Sequence, residues 1–426
     1  MGDYRVRVLN LASGERFPLL LNGDGQPFFE PTVYSLTELR ARNLATNSIS
    51  NILRAIQAFY LYLDIRQINF FSRLTSGQML SLGEVEDLTR LCRLPMERLE
   101  AMSPESAHDD GCPRLVSLEK VRMRSRPETE DFLNSAFAGT RLRYIGSYLK
   151  WLVSDYISRQ KIEKNVADNV EQSLERVLLA INARIPKASG AKALGQREGL
   201  STESASELLR VASPDSQDNP WQDDYVRHRN ALIVHWLYYL GLRRGELLGV
   251  KVNDIDFRKG TVTIHRRADD PSDPRTNQPQ TKTKPRVIPL GEELKSLTYD
   301  YVMNYRSTLP GARKHAFLVC GNATGQPMSL PALNKVFAVL RAKHPTLTDS
   351  LCPHVLRHTW NDRFSELMDQ RQVTEETEKK MRSYLMGWSE TSGTAATYTR
   401  RHTRKKAQEA SLKMQEELMT RNGNDA

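Results

Sequence analysis

The stretch "YVRHRNALIVHWLYYLGLRRGELLGV" (residues 225–250) decides how the second half of this 426-residue chain reads. Its apolar residues up to Leu240 are too dense for a solvated surface helix and predict a buried one. The residues that follow make a turn, and "RRGELL" starts a second helix. Working upstream, "STESASELLRVAS" (201–213) offers Ser201 as a cap, with Glu203 in the first turn of another helix. Downstream, "VNDIDFRKGTVTIHRR" (252–267) and "KTKPRVIPL" (282–290) alternate and hold β-branched residues. They predict a small sheet, its strands separated by the polar, proline-rich loop "ADDPSDPRTNQPQT" (268–281). More helices are expected from about 330 to 420.

Further upstream, "IPKASGAKALGQREGL" (185–200) loses periodicity and mixes Pro, Gly, Ala and Lys, which predicts a linker over 186–200. Before it, residues 34–185 read as a helical domain. Thr46 and Ser48 are candidate caps for "ISNILRAIQAFYLYLD" (49–64), where Ile49, Leu53, Ile56, Tyr60 and Leu63 recur at helical spacing. Further helical stretches are expected at about 82–104, 128–159 and 165–184. In the middle one, "RLRYIGSYLKWLVSDYI" (141–157), Arg141, Arg143 and Lys150 are candidate contacts to a phosphate backbone. Tyr144, Tyr148 and Trp151 sit at core spacing and predict packing. Residues 1–33 hold "YRVRVLNL" and the turn-rich "NGDGQPFFEP", a short β-like extension. The chain is therefore expected to be mainly α with a small β-sheet, in two domains with no internal repeat.

Composition narrows the function. With 39% hydrophobic residues, 26% charged and no apolar run of membrane-spanning length, a transporter or membrane enzyme is excluded. The N-terminus lacks the pattern of a secretory signal, which predicts a cytoplasmic protein. Cys92, Cys112, Cys320 and Cys352 show no CxxC spacing, which argues against a disulfide framework or a zinc site. Sixty-one Lys and Arg against 51 Asp and Glu leave a net charge of +10, the sign expected of a polyanion binder.

Four short segments carry the chemistry. They are "LGLRRGELL" with Arg243 and Glu246, "TKTKPRVIPL" with Lys282, "HVLRHTW" with His354, Arg357 and His358, and "LMGWSETSGTAATYTR" with Trp388 and Tyr398. In this order and approximate spacing they resemble the tyrosine recombinase (phage integrase) family over residues 201–415. More loosely, "TNSISNILRAIQAFYLYL" (46–63) is similar to the first helix of that family's core-binding domain. The resemblance implies a helical core-binding domain joined by the linker to an α+β catalytic domain over 201–403, the two clamping duplex DNA from opposite faces.

The reaction it implies is transfer of a phosphodiester between hydroxyls, through a five-coordinate phosphorus whose extra charge needs fixed donors. Arg243 and Arg357 fit, because guanidiniums stay charged and bind phosphate in a bidentate way. The "GLRxxELL" pattern selects Arg243 over its neighbour Arg244, which is left as a DNA contact. Tyr398 is the nucleophile, with His354 as the neighbour that shares its proton. Tyr384 is the rival tyrosine and reads as a core residue of its helix. Lys282 is the general acid for the leaving 5′ oxygen, with Lys284 as an alternative in the other register. Trp388 stands where many members carry histidine and would donate its indole N–H to a phosphate oxygen. Its interval to Tyr398 is one residue longer than the usual pattern. Glu246 would hold Arg243 or its helix without touching DNA, and His358 would pack the helix or, as the alternative, orient the pocket.

Lys284, Arg400 and Arg401 join Arg143 and Lys150 as candidate DNA contacts. The link to tyrosine would conserve the energy of the cleaved bond, so no metal and no nucleotide cofactor is implied. Partners implied are double-stranded DNA with specific core sites, three further copies in a tetramer, and accessory bending or directionality proteins. Residues 404–426 begin basic and continue as an amphipathic stretch with Ala407, Ala410, Leu412, Met414 and Leu418, expected to dock on a neighbouring protomer. The rivals are a type IB topoisomerase, which shares the chemistry, and a catalytically silent DNA-binding regulator.

Overall fold

A computed structural model describes residues 4–102, 133, 135–160, 162–185, 199–267, 269–279, 283–389, 393–395, 397–399, 402, 403, 406, 407 and 410–414. The chain divides into two units, Met1–Leu194 and Gly195–Ala426. The expected linker over 186–200 lies outside the described residues up to 198.

In the first unit, β1 (Arg5–Asn10) pairs antiparallel with β2 (Arg16–Leu21), Arg5 opposite Leu21 and Asn10 opposite Arg16. Every residue of β2 is buried. The hairpin packs on α2 (Thr46–Ile65), where the Gln57 amide donates to the Tyr4 carbonyl at 2.7 Å and the Tyr4 hydroxyl to Asp64 at 2.8 Å. The five periodic residues of α2 are all buried. Its start differs from expectation. Ala45 holds the cap position, and the Thr46 hydroxyl donates instead to the Arg16 carbonyl of β2 at 3.0 Å, so a distant strand has taken the side chain that local capping would use.

Short helices α1 (Phe29–Tyr34) and α3 (Phe70–Thr75) flank α2. The stretch expected over 82–104 is two helices, α4 (Leu82–Leu91) and α5 (Met96–Ala101), with Pro95 between them. Proline lacks the N–H that a continuing helix requires. Two long helices follow, α6 (Ser135–Gln160) and α7 (Lys164–Arg184). The aromatic stripe of α6 packs inward: the Tyr148 and Tyr60 hydroxyls share a hydrogen bond of 2.8 Å, and the Tyr34 ring lies 5.3 Å from Tyr148 and 5.1 Å from Trp151. Arg141 lies on the same inward side, which corrects its reading as a DNA contact. It is 7% exposed and donates to the Cys92 and Leu94 carbonyls at 3.2 and 3.0 Å, and burial lowers its pKa from the ordinary value. Arg143, Ser147 and Lys150 are exposed, at the spacing of one helix face.

The second unit opens with α8 (Thr202–Ala212), capped as expected by Ser201, whose Oγ accepts the Ser204 N–H at 3.2 Å. The buried helix is α9 (Asp224–Leu240), ended by Gly241 with φ of 59°. Only glycine fits there: a Cβ would also come within 2.7 Å of Trp360 Cγ. Next come α10 (Arg244–Gly249) and an antiparallel sheet of β3 (Ile255–Asp256), β4 (Thr261–Ile264) and β5 (Arg286–Pro289), in that order. The described part of the β4–β5 loop is tied down by Arg275, which pairs with Asp273 and donates to the Leu248 and Met328 carbonyls at 3.1 and 2.8 Å. Helices α11 (Glu292–Asp300), α12 (Leu330–Lys343), α13 (Pro353–Gln370) and α14 (Glu375–Met386) follow. Tyr384 of α14 is 61% exposed, not a core residue, because the buried side of that helix carries Glu378, Arg382, Ser383 and Met386. None of the helices in the described residues is long and apolar enough to cross a membrane.

One buried carboxylate ties three of these elements together. Glu246 of α10 accepts the Arg243 backbone N–H at 2.8 Å, the Thr283 hydroxyl at 2.5 Å and the Arg286 guanidinium of β5 at 3.0 and 3.2 Å. Arg357 of α13 stands 3.8 Å away. Burial alone would raise the Glu246 pKa. The charge and hydrogen bonds of Arg286, then Arg357 and the Thr283 hydroxyl, outweigh it and hold the group at about 2, against an ordinary 4.5. Because the folded value is the lower one, this stabilisation is complete above pH 4.5 and is lost as pH falls towards 2; the difference corresponds to roughly 3 kcal/mol. Replacing Glu246 by Gln leaves two buried cations without their counter-charge, so Glu246→Gln should destabilise the second unit by about 3–5 kcal/mol at pH 7. Urea denaturation followed by tryptophan fluorescence at pH 7 and pH 3 checks this, with the gap between variant and parent narrowing at the lower pH.

Candidate active site

Helix α13 begins with Pro353 at its first position, where the missing N–H costs nothing, and then presents His354, Arg357 and His358 within one turn. Arg357 points inward with its side chain 2% exposed. It donates to the Gly241 carbonyl at 2.6 Å and the Met386 carbonyl at 3.4 Å, the chain ends of α9 and α14, where helix dipoles favour a cation. Burial and the nearby Arg243 charge lower its pKa to about 9, opposed by Glu246 and Tyr398, so it remains a cation at neutral pH. Arg243 sits at the head of α10 with 38% of its side chain exposed, its Nη1 3.4 Å from Glu246. Arg243 and Arg357 thus share one buried carboxylate with Arg286, and of the three Arg243 keeps solvent access.

The Gly387–Trp388 turn is laid against the entry to β5. The Lys284 N–H donates to the Gly387 carbonyl at 2.9 Å, and Gly387 has φ of 66°. A Cβ there would meet Arg286 Nη1 at 2.8 Å and Thr283 Cβ at 2.9 Å. Trp388 is thereby placed with its ring stacked on Tyr398, centroids 5.6 Å apart and planes 11° from parallel, and with Arg357 Cζ 5.3 Å from the indole. Its Nε1 is buried and has no hydrogen-bond partner among the described residues. A buried donor left without a partner costs about 1–3 kcal/mol, which an incoming acceptor would recover.

The Tyr398 hydroxyl lies 3.0 Å from His358 Nδ1. This reverses the expected order of the two histidines: His358, for which packing was expected ahead of orienting the pocket, holds the phenol, while His354, expected to share its proton, is exposed and meets the His358 ring edge-on at 4.4 Å. The two lie one helical turn apart on the same face, and the segment carrying Tyr398 reaches α13 at the level of the second. The longer interval between Trp388 and Tyr398 has not prevented their rings from stacking.

Of the other expected residues, Arg244 is exposed and donates to Asn334 at 3.1 Å, and the Lys284 side chain is exposed. Lys282, Arg400 and Arg401 lie outside the described residues. Arg286, Thr283 and Arg382 belong to the site's surroundings and were not anticipated. Arg286 was findable: β5 alternates buried and exposed, and Arg286 shares its inward phase with Ile288. A buried arginine in that phase needs a carboxylate.

The arrangement joins a phenol in contact with an imidazole, two guanidiniums of fixed charge and an unpartnered indole N–H, which are the parts needed to activate an oxygen nucleophile and bind a phosphate. Residues 215–405 match the model of the phage integrase family. The tyrosine recombinase XerD of Halalkalibacterium halodurans is 28% identical over 143 residues, 34% of this chain and 42% of the relative. XerC of Pseudomonas fluorescens is 26% identical over 144 residues, 34% of this chain and 41% of the relative. The chain thus spans about two fifths of the length of these curated relatives. Among solved structures, the Tn1549 transposon integrase in complex with circular intermediate DNA aligns with a TM-score of 0.42 at 18% identity, covering 77% of this chain and 94% of that one. The residues that match the phage integrase family, 215–405, hold every described member of the site.

Proposed function

We propose that this chain is a site-specific DNA strand transferase acting through a 3′-phosphotyrosyl intermediate. The observation that carries the reading is the Tyr398 hydroxyl, 3.0 Å from His358 and stacked on Trp388 beside the buried Arg357. The phenol oxygen attacks the scissile phosphorus as its proton passes to His358 Nδ1 in the Nε2–H tautomer. The bond from phosphorus to the 5′ oxygen breaks, and Lys282 protonates that oxygen. A second 5′ hydroxyl then reverses the sequence and releases Tyr398. Arg243 and Arg357 meet the charge on the non-bridging oxygens, and the Trp388 Nε1–H gains the acceptor it lacks. Each ester is exchanged for another, so the sequence as written requires neither ATP nor a metal.

The substrate in this reading is duplex DNA with defined core sites, in integration or movement of a mobile element. Arg143 and Lys150 on one face of α6, together with Arg244, Lys284, Arg400 and Arg401, supply phosphate contacts, which makes affinity strongly salt-dependent. The segment 404–420 would contact a neighbouring protomer in a tetramer on DNA; Leu412 and Met414 are 58% and 57% exposed, as a docking surface requires. The site of action is the nucleoid, and accessory proteins would set direction.

Capture of the protein from host cells under denaturing conditions, followed by sequencing of attached DNA, should recover adducts at a few discrete sites, and none from Tyr398→Phe. Adducts scattered without preference would favour a topoisomerase, and salt-sensitive binding without adducts a silent regulator. The lysine register has its own test. Lys282→Ala should lower the cleavage rate by about 10²–10⁴-fold on ordinary DNA and recover on a 5′-bridging phosphorothiolate, whose thiolate leaves without a proton. Lys284→Ala should show neither effect; the reverse pattern would move the role to Lys284.

A further inference from the structure

Behind the nucleophile lies a buried polar cluster that neither the four motifs nor the reaction above uses. Arg382 of α14 is 0% exposed. It donates to Glu378 on its own helix, to Ser365 Oγ at 2.5 Å and to the Asn361 carbonyl of α13 at 3.3 Å. Ser365 in turn donates to the same Glu378 oxygen at 2.9 Å. The Arg382 Cζ lies 5.7 Å from the centre of the Tyr398 ring and 5.2 Å from that of Phe364. Its Nε is buried and has no partner among the described residues.

Stability alone is a poor account of this cluster. A buried ion pair generally gains no more than apolar side chains of the same volume would, because both charges lose their hydration. Asn361, Ser365, Glu378 and Arg382 all occupy inward positions of their helices, where Leu or Val would pack without that penalty. Burial lowers the Arg382 pKa, while Glu378 and then Tyr398 act in the opposite direction. Arg382 and Ser365 donate to the same Glu378 oxygen, and the Arg382 Nε is left without a partner among the described residues.

We infer that Arg382 is a positioning residue for the Tyr398 nucleophile, holding the phenol ring by a cation–π contact from inside the protein. The inference rests on the proposed phosphotyrosyl chemistry. A cation over an aromatic face is attracted to its π electrons, and a phenolate is richer in them than a phenol, so the contact strengthens as Tyr398 gives up its proton. It acts through Tyr398 and touches no DNA. Arg243 and Arg357 serve the phosphate, whereas Arg382 favours the attacking oxygen.

The test compares wild type, Arg382→Met/Glu378→Gln and Arg382→Lys on a nicked duplex carrying a site recovered by adduct sequencing. The double variant removes both charges together, so no lone buried ion is left to unfold the domain. It should bind this duplex within about threefold of wild type, cleave it about 10–100-fold more slowly at pH 7, and reach half-maximal cleavage about one pH unit higher. Arg382→Lys, which keeps the cation, should hold its half-maximal pH within about 0.3 unit of wild type. A double variant that cleaves at the wild-type rate, or one that slows with an unchanged pH profile, would overturn the inference; the second result would leave Arg382 a packing residue. A wild-type protein that forms no Tyr398-dependent adduct in the same gels would instead overturn the recombinase reading, and this inference with it.

Discussion

Glu246 has almost no access to water, and it faces Arg286, Arg357 and Arg243 at once. Arg286 and Arg357 are each expensive to bury alone, and with Arg243 they would repel. The carboxylate makes the cluster tolerable and in doing so fixes β5 against α10 and α13. Everything in the site hangs from that junction. Arg357 is aimed by Glu246 and by the carbonyls of Gly241 and Met386. Trp388 follows from the Gly387 turn that rests on Arg286 and Thr283, and Tyr398 follows from Trp388. A charge-balanced core therefore sets the geometry of the candidate site.

The same economy governs where glycine is required. Gly241 and Gly387 both end helices in the left-handed region, and both stand where a Cβ would strike a packed neighbour, Trp360 for the first and Arg286 for the second. Their carbonyls are then available to Arg357 and to the Lys284 N–H. Two helix ends thus do double service, as chain reversals and as anchors for the groups that would handle phosphate.

Much of this was legible in the sequence where the signal was local. The buried helix ending at Leu240, the Ser201 cap, the short strands around "TVTI" and "RVIP", and the inward aromatic stripe of α6 all follow from spacing and residue type. The misreadings share a cause, which is that a partner far along the chain decided the outcome. Arg141 is basic and sits among basic residues, yet the carbonyls of Cys92 and Leu94 draw it inside. Thr46 serves β2 instead of its own helix. His358 holds the phenol because of how a segment 40 residues away arrives, which no spacing within "HVLRH" encodes. The cluster of Asn361, Ser365, Glu378 and Arg382 was invisible for the same reason: four polar residues in inward positions read as an imperfect amphipathic pattern until two helices are brought together.

The central claim is that Tyr398, aligned by His358 and Trp388, forms a 3′ link to DNA and leaves a free 5′ hydroxyl. The most direct measurement takes the trapped adduct, digests its protein, and determines both the modified peptide by mass spectrometry and the chemistry of the released DNA end. The nucleotide mass should reside on the peptide containing Tyr398, and the 5′ end should accept phosphate from polynucleotide kinase with no prior dephosphorylation. Nucleotide on any other residue, or a 5′ end already blocked by the protein, would contradict the account.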